Sequence, residues 1–116
     1  MVILLAEDDV RLQYAIWKSL VASGFTVITA DNGASALDAS RTHHGSIDLV
    51  LTDFEMPHMN GIELCRCITA ERPKTKFVVM SGGVGAKEQV AMEGLAFLQK
   101  PFHFSSLRKA IESCLP

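Results

Sequence analysis

The sequence predicts an α/β domain: a parallel sheet with helices on both faces. Two observations carry this. Short apolar runs and amphipathic helical segments alternate five times along the 116 residues, and the runs are near-continuously apolar, as strands buried on both faces must be. A third observation locates the chemistry, because acidic, hydroxyl and basic residues recur where those runs end.

Val2 to Ala6 is a five-residue apolar run followed by acids, and it reads as the first strand. Residues 10–23 carry Leu12, Ala15, Ile16 and Leu20 at helical spacing, with Gly24 as a stop signal. Asp8 or Asp9 is placed to cap that helix. Phe25 to Ala30 is β-branched and alternating, the second strand. Asp31-Asn32-Gly33 is a turn and cap opening a weaker helix with Ala34 and Leu37. Ile47 to Thr52 reads as the third strand. Asn60 and Glu63 form a capping-box pattern, and the helix behind them uses Leu64 and Ile68 and stops before Pro73. Phe77 to Met80 is the fourth strand, followed by the glycine-rich loop Ser81 to Gly85 and a short helix over 86–93. Leu95 to Gln99 is the fifth strand. Ser105 is expected to cap a last helix with Leu107, Ala110, Ile111, Cys114 and Leu115 on one face. Residues 1–116 therefore read as one domain without linker or repeat.

Composition narrows the function. The net charge is −2, and 11 Lys and Arg nearly balance 13 Asp and Glu, so nothing favours direct nucleic-acid binding. No apolar run approaches the ~18 residues that span a bilayer, and a cytoplasmic address is expected. Three cysteines, Cys65, Cys67 and Cys114, do not suit a disulfide framework and are expected as reduced thiols. His43-His44 lacks neighbouring ligands and reads as loop polarity rather than a metal site.

In a parallel α/β sheet, ligands bind beyond the carboxyl ends of the strands. The first strand ends in Glu7-Asp8-Asp9, the third in Asp53, the fourth in Ser81 and the fifth in Lys100. All of these lie on one edge. Two carboxylates 4 Å apart repel by about 4 kcal/mol at an effective dielectric near 20. One lysine does not offset several such pairs, so either some acids are protonated or a cation sits among them. Mg²⁺ suits one or two carboxylates, several waters and phosphate oxygens. A carboxylate is a covalent acceptor for phosphate, a lysine supplies a point charge for a phosphoryl oxygen, and a serine supplies a hydroxyl donor. Read singly, Asp53 is a loop residue, Ser81 a turn former, Lys100 a solvated lysine and Phe97 core packing. Their joint placement at the strand ends outweighs those readings.

These residues resemble a known family. Val2 to Asp9 (VILLAEDD), Asp48 to Gly61 (DLVLTDFEMPHMNG), Phe77 to Ser81 (FVVMS) and Phe97 to Phe102 (FLQKPF) are similar to the four signature segments of bacterial two-component receiver domains, and the likeness spans the chain. The resemblance implies a flavodoxin-like (βα)5 doubly wound fold, strand order 2-1-3-4-5. It implies phosphorylation of Asp53 by a histidine kinase or histidine phosphotransfer protein. Mg²⁺ would be held by Asp8, Asp53 and the Glu55 backbone carbonyl, with Glu7 acting mainly through water. Lys100 would hold a phosphoryl oxygen, Ser81 would move toward the phosphoryl group, and Phe97 would rotate inward. Lys100-Pro101 would be a cis peptide. The expected activity is limited to self-phosphotransfer and self-dephosphorylation, signalling to an output domain or a target protein, with a homodimer left open. The chain departs from the family in having Gly82 after Ser81 and a shortened stretch from Ser81 to Lys100, which predicts a short or displaced fourth helix. Three alternatives fit parts of the pattern: a phosphorylation-independent docking module, an aspartyl-phosphate phosphatase with Asp53-Phe54-Glu55 as its loop, and a flavodoxin-like carrier. Acids after the first strand would repel a phosphate cradle and disfavour the carrier.

Overall fold

In the computed structural model, which describes residues 1–116, each apolar run becomes a strand because its side chains alternate between two helix layers. The elements in order are β1 (Val2–Ala6), α1 (Val10–Ala22), β2 (Thr26–Ala30), α2 (Gly33–Thr42), β3 (Leu49–Asp53), α3 (Gly61–Glu71), β4 (Lys76–Ser81), α4 (Ala86–Met92), β5 (Ala96–Gln99) and α5 (Phe104–Cys114). The strands form one parallel sheet of order β2-β1-β3-β4-β5. Chain order reverses at β1, so the crevice at the carboxyl ends of β1 and β3 is the switch point where such sheets bind ligands.

The period of two in each strand divides the core. Ile3, Leu5, Leu49, Leu51, Val78 and Met80 face Ile16 and Leu20 of α1 and Leu107 and Ile111 of α5. Leu4, Ala6, Val50 and Val79 face Leu37 of α2, Leu64 and Ile68 of α3 and Val90 of α4. Burying one Leu or Ile side chain stabilises by roughly 1.5–3 kcal/mol. The strand ends are thus held by packing on both sides, and the side chains just past them inherit that rigidity.

Caps set the helix starts. Asp9 accepts from the Arg11 and Leu12 N–H groups, Asn32 from Ser35 N–H, and Asn60 and Glu63 close a reciprocal capping box. The last helix departs from expectation. It begins at Phe104, with extended His103 before it and no side-chain cap, and Ser105 lies inside the first turn. The His103 carbonyl accepts the Ser106 N–H at 2.9 Å, so backbone replaces the hydroxyl. The third strand also starts later than expected. Ile47 is buried, but its carbonyl takes the Thr75 hydroxyl at 2.7 Å, and the Asp48 carboxylate takes the Val2 N–H at 2.7 Å. These side-chain bonds sit just ahead of the ladder. β2 begins at Thr26 rather than Phe25, and β4 extends to include Ser81. The fourth helix is short, seven residues, entered through left-handed Gly85 at φ 85°.

Candidate functional site

Glu7, immediately after β1, is completely buried. Its N–H bonds the Ala30 carbonyl of β2 at 3.1 Å. Its carboxylate is shared: Oε1 accepts from Lys100 Nζ at 2.8 Å and Oε2 from the Asp9 N–H at 3.1 Å. Gln13 fixes this corner, because its Nε2 reaches the Glu7 carbonyl at 2.9 Å, the Ala30 carbonyl at 3.2 Å and Asp31 Oδ1 at 2.9 Å. Nothing in the sequence pattern singled out Gln13; its helical position was visible, but its three partners come from folding.

Asp53 closes β3 and is 4% exposed. Its Oδ1 lies 3.2 Å from Lys100 Nζ, yet that atom has no hydrogen bond of acceptable geometry. Carboxylate oxygens of Glu7, Asp8 and Asp53 all lie within 4.8 Å of one another. Asp8 is the exposed member and opens the cluster to solvent. Burial, and then the charge on Glu7, push the Asp53 carboxyl up to about 7, while Lys100 works in the opposite direction. Burial pulls the Lys100 ammonium down, but its bond to Glu7 and the charges of Asp53 and Glu7 outweigh this, and the net shift is upward.

A buried carboxylate oxygen without a hydrogen bond is a costly group. The donor set beside it is all oxygen. That set, with one solvent-facing side for retained waters, fits a small hard divalent cation. The Glu55 carbonyl accepts no backbone hydrogen bond. Asp9 is engaged as the α1 cap and stays outside the cluster.

The loop after Asp53 is held tightly. Phe54 N–H bonds the Met80 carbonyl at 2.7 Å, and Gly61 N–H bonds the Phe54 carbonyl at 2.9 Å. A Cβ at Gly61 would lie 2.6 Å from the Asp53 backbone oxygen, so α3 approaches β3 at a distance only glycine allows. His58 within this loop has left-handed φ 68°. A cleft of about 400 Å³ lined by Asp8, Asp31, Asn32, Pro57, His58 and Met59 flanks the acids.

Ser81 is fully buried at the end of β4. Its hydroxyl donates to Glu55 Oε1 and accepts the Gly83 N–H, the latter at 2.9 Å. Lys100-Pro101 is cis. Phe97 pairs with Val79 in the β4–β5 ladder, so it projects on the same sheet face as Ser81, where it is half-buried against the core. The structure therefore gathers Glu7, Asp8, Asp53 and Lys100 into one contact set and puts Ser81 with the Glu55 side chain beside it. Phe97 stands apart in the apolar layer. The three cysteines are free, and burial pushes the Cys65 thiol up to about 12.

This sheet and its cluster of strand-end acids, hydroxyl and lysine define a flavodoxin-like signalling domain. The chain belongs to the response regulator receiver domain family, whose pattern matches residues 3–112. It is 38% identical over 116 residues to the response regulator receiver protein CpdR of Brucella abortus, covering 97% of this chain and 95% of that one. It is 31% identical to the cell cycle response regulator CtrA of Brucella ovis, but over only 46% of CtrA's length. Among solved structures, the receiver domain of the hybrid histidine kinase CckA superposes with a TM-score of 0.86 at 26% identity, over 100% of both chains. The response regulator TrrA of Thermotoga maritima, solved in complex with Mg²⁺-BeF, superposes at 0.87 and 24% identity, over 98% of both chains.

Proposed function

We propose that residues 1–116 form one cytoplasmic receiver unit in which Asp53 accepts a phosphoryl group from a histidine kinase or histidine phosphotransfer protein. Transfer changes the conformation that an output domain or target protein reads. The observation carrying this is the buried Asp53 carboxylate, with Oδ1 lacking a hydrogen bond, set between Glu7 and Lys100. Asp8, Asp53 and the Glu55 backbone carbonyl would hold Mg²⁺, with Glu7 acting through water; when bound, the ion offsets repulsion between carboxylates and phosphoryl oxygens. The Mg²⁺-BeF complex of TrrA supports this choice of ion.

An Asp53 carboxylate oxygen attacks phosphorus, the bond from phosphorus to the donor's histidine nitrogen breaks, and a mixed anhydride forms on Asp53. Lys100 attracts a phosphoryl oxygen as a point charge. Ser81 donates its hydroxyl to another, and Phe97 turns inward as Ser81 moves. Water later hydrolyses the anhydride within the same site, and the chain acts on no external substrate.

The test is intact-protein mass after incubation with acetyl phosphate and Mg²⁺. The expected result is a gain of one phosphoryl group that chelation and Asp53→Asn both abolish. Uptake by Asp53→Asn would overturn the assignment.

A further inference from the structure

A serine hydroxyl has one proton to give. In this structure the Ser81 proton goes to the Glu55 carboxylate, while the hydroxyl oxygen receives the Gly83 N–H. Both ends of the hydroxyl are thus committed, and the residue is fully buried, so water does not compete. Ser81 is linked to the Asp53 site through Glu55: β3 and β4 pair Asp53 with Met80, Ser81 follows directly, and the Glu55 carboxylate that takes its proton also acts by its charge on Asp53. Yet Asp53 Oδ1 receives no hydrogen bond.

Gly83 explains how Glu55 reaches Ser81. A Cβ at position 83 would lie 2.5 Å from Glu55 Oε1 and 3.4 Å from Ser81 Oγ. The carboxylate occupies the space a side chain at 83 would take. Gly83 does not have positive φ, so backbone conformation is not what calls for glycine there.

We propose that the Glu55 carboxylate is a latch on Ser81: it competes with the phosphoryl group on Asp53 for the hydroxyl's only proton, and the absence of a side chain at 83 lets the latch close. This rests on Asp53 being the phosphoacceptor. With the latch closed, Ser81 is held toward the loop after β3. Phosphorylation must supply an oxygen that outcompetes a charged acceptor, which raises the threshold for switching. A hydrogen bond to a charged group is stronger than one between neutral groups. Opening the latch beforehand should therefore favour the phosphorylated form.

Gly83→Ala is the informative variant, because it displaces the latch without changing any charge near the site. The atom it meets is the free end of a flexible side chain, so the fold should tolerate it. The measurement is calorimetric titration with beryllofluoride in the presence of Mg²⁺, a phosphoryl mimic that needs no donor, with far-UV circular dichroism verifying the fold. Gly83→Ala should bind it about ten- to a hundredfold more tightly than wild type, the range expected for removing one competing hydrogen bond to a charged acceptor. In a Ser81→Ala background the same change should have no effect. Should Gly83→Ala not fold, Glu55→Gln and Glu55→Ala carry the test. Both remove the charge, but only Gln keeps an acceptor, so Ala should bind more tightly than Gln, and only when Ser81 is present. Equal or weaker binding by the latch-opening variant, or a gain that survives loss of the Ser81 hydroxyl, overturns the latch. If wild type itself takes up no beryllofluoride, the phosphoacceptor reading fails first and the latch falls with it.

Discussion

Replacing Asp53 with Asn should make the metal-free protein more stable at pH 8, and less so as the pH falls. The Asp53 carboxyl rises from an ordinary 3.8 to about 7 on folding, chiefly through burial and then Glu7. The native state therefore holds the proton more tightly than the unfolded chain does. Stability contributed by the protonated form is fully present below 3.8 and is lost as pH rises toward 7. A tenfold change in proton affinity is worth about 1.4 kcal/mol, so the full penalty at pH 8 is about 4 kcal/mol, of which roughly 2–3 kcal/mol develops between pH 5 and pH 8. Asn has nearly the same shape and no such charge, but it loses the attraction to Lys100. A net gain of about 1–3 kcal/mol over wild type at pH 8 follows. Urea unfolding followed by circular dichroism, in chelator, at several pH values measures it. A wild type as stable as Asp53→Asn at pH 8, or parallel pH curves for the two, would show that the buried Asp53 charge carries no such penalty.

Three further outcomes follow from the same geometry. Lys100→Ala leaves the fully buried Glu7 without its 2.8 Å partner, and should cost about 3 kcal/mol in urea unfolding at pH 8. Gly61→Ala forces a Cβ against the Asp53 carbonyl, so it should lower the melting temperature and slow phosphoryl uptake together, with stability loss of about 1–3 kcal/mol. Arg72 bonds the Ser40 hydroxyl and the Ser40, His43 and Gly45 carbonyls. Arg72→Ala should cost about 2 kcal/mol and speed amide exchange around His43 to Gly45, leaving phosphoryl uptake unchanged.

Much of the fold was legible because buried strands leave an unambiguous apolar trace. Val2–Ala6 and Leu49–Asp53 are surrounded by helices, and Thr52 is the one polar residue inside them before their functional ends. The acids, Ser81 and Lys100 were legible for the same reason, since strand ends of a parallel sheet must share an edge. What escaped depends on distance in sequence. Gln13 reaches Asp31 and Arg72 reaches Ser40 only after the sheet has formed, and no local periodicity encodes such bonds. The Ser105 cap failed because serine's preference for that position is worth only about 1 kcal/mol; the backbone carbonyl of His103 serves instead. The family resemblance points to the Glu55 backbone carbonyl, whereas the Glu55 side chain takes the Ser81 hydroxyl. That depended on a missing Cβ at Gly83, two residues beyond the strand.

Borohydride reduction followed by peptide mapping locates the phosphorylated side chain. It converts an aspartyl phosphate to homoserine and so reads out the acceptor residue itself. After treatment with acetyl phosphate and Mg²⁺, homoserine should appear at position 53 and nowhere else. Homoserine at position 8, or none at all after confirmed phosphoryl uptake, would contradict the account.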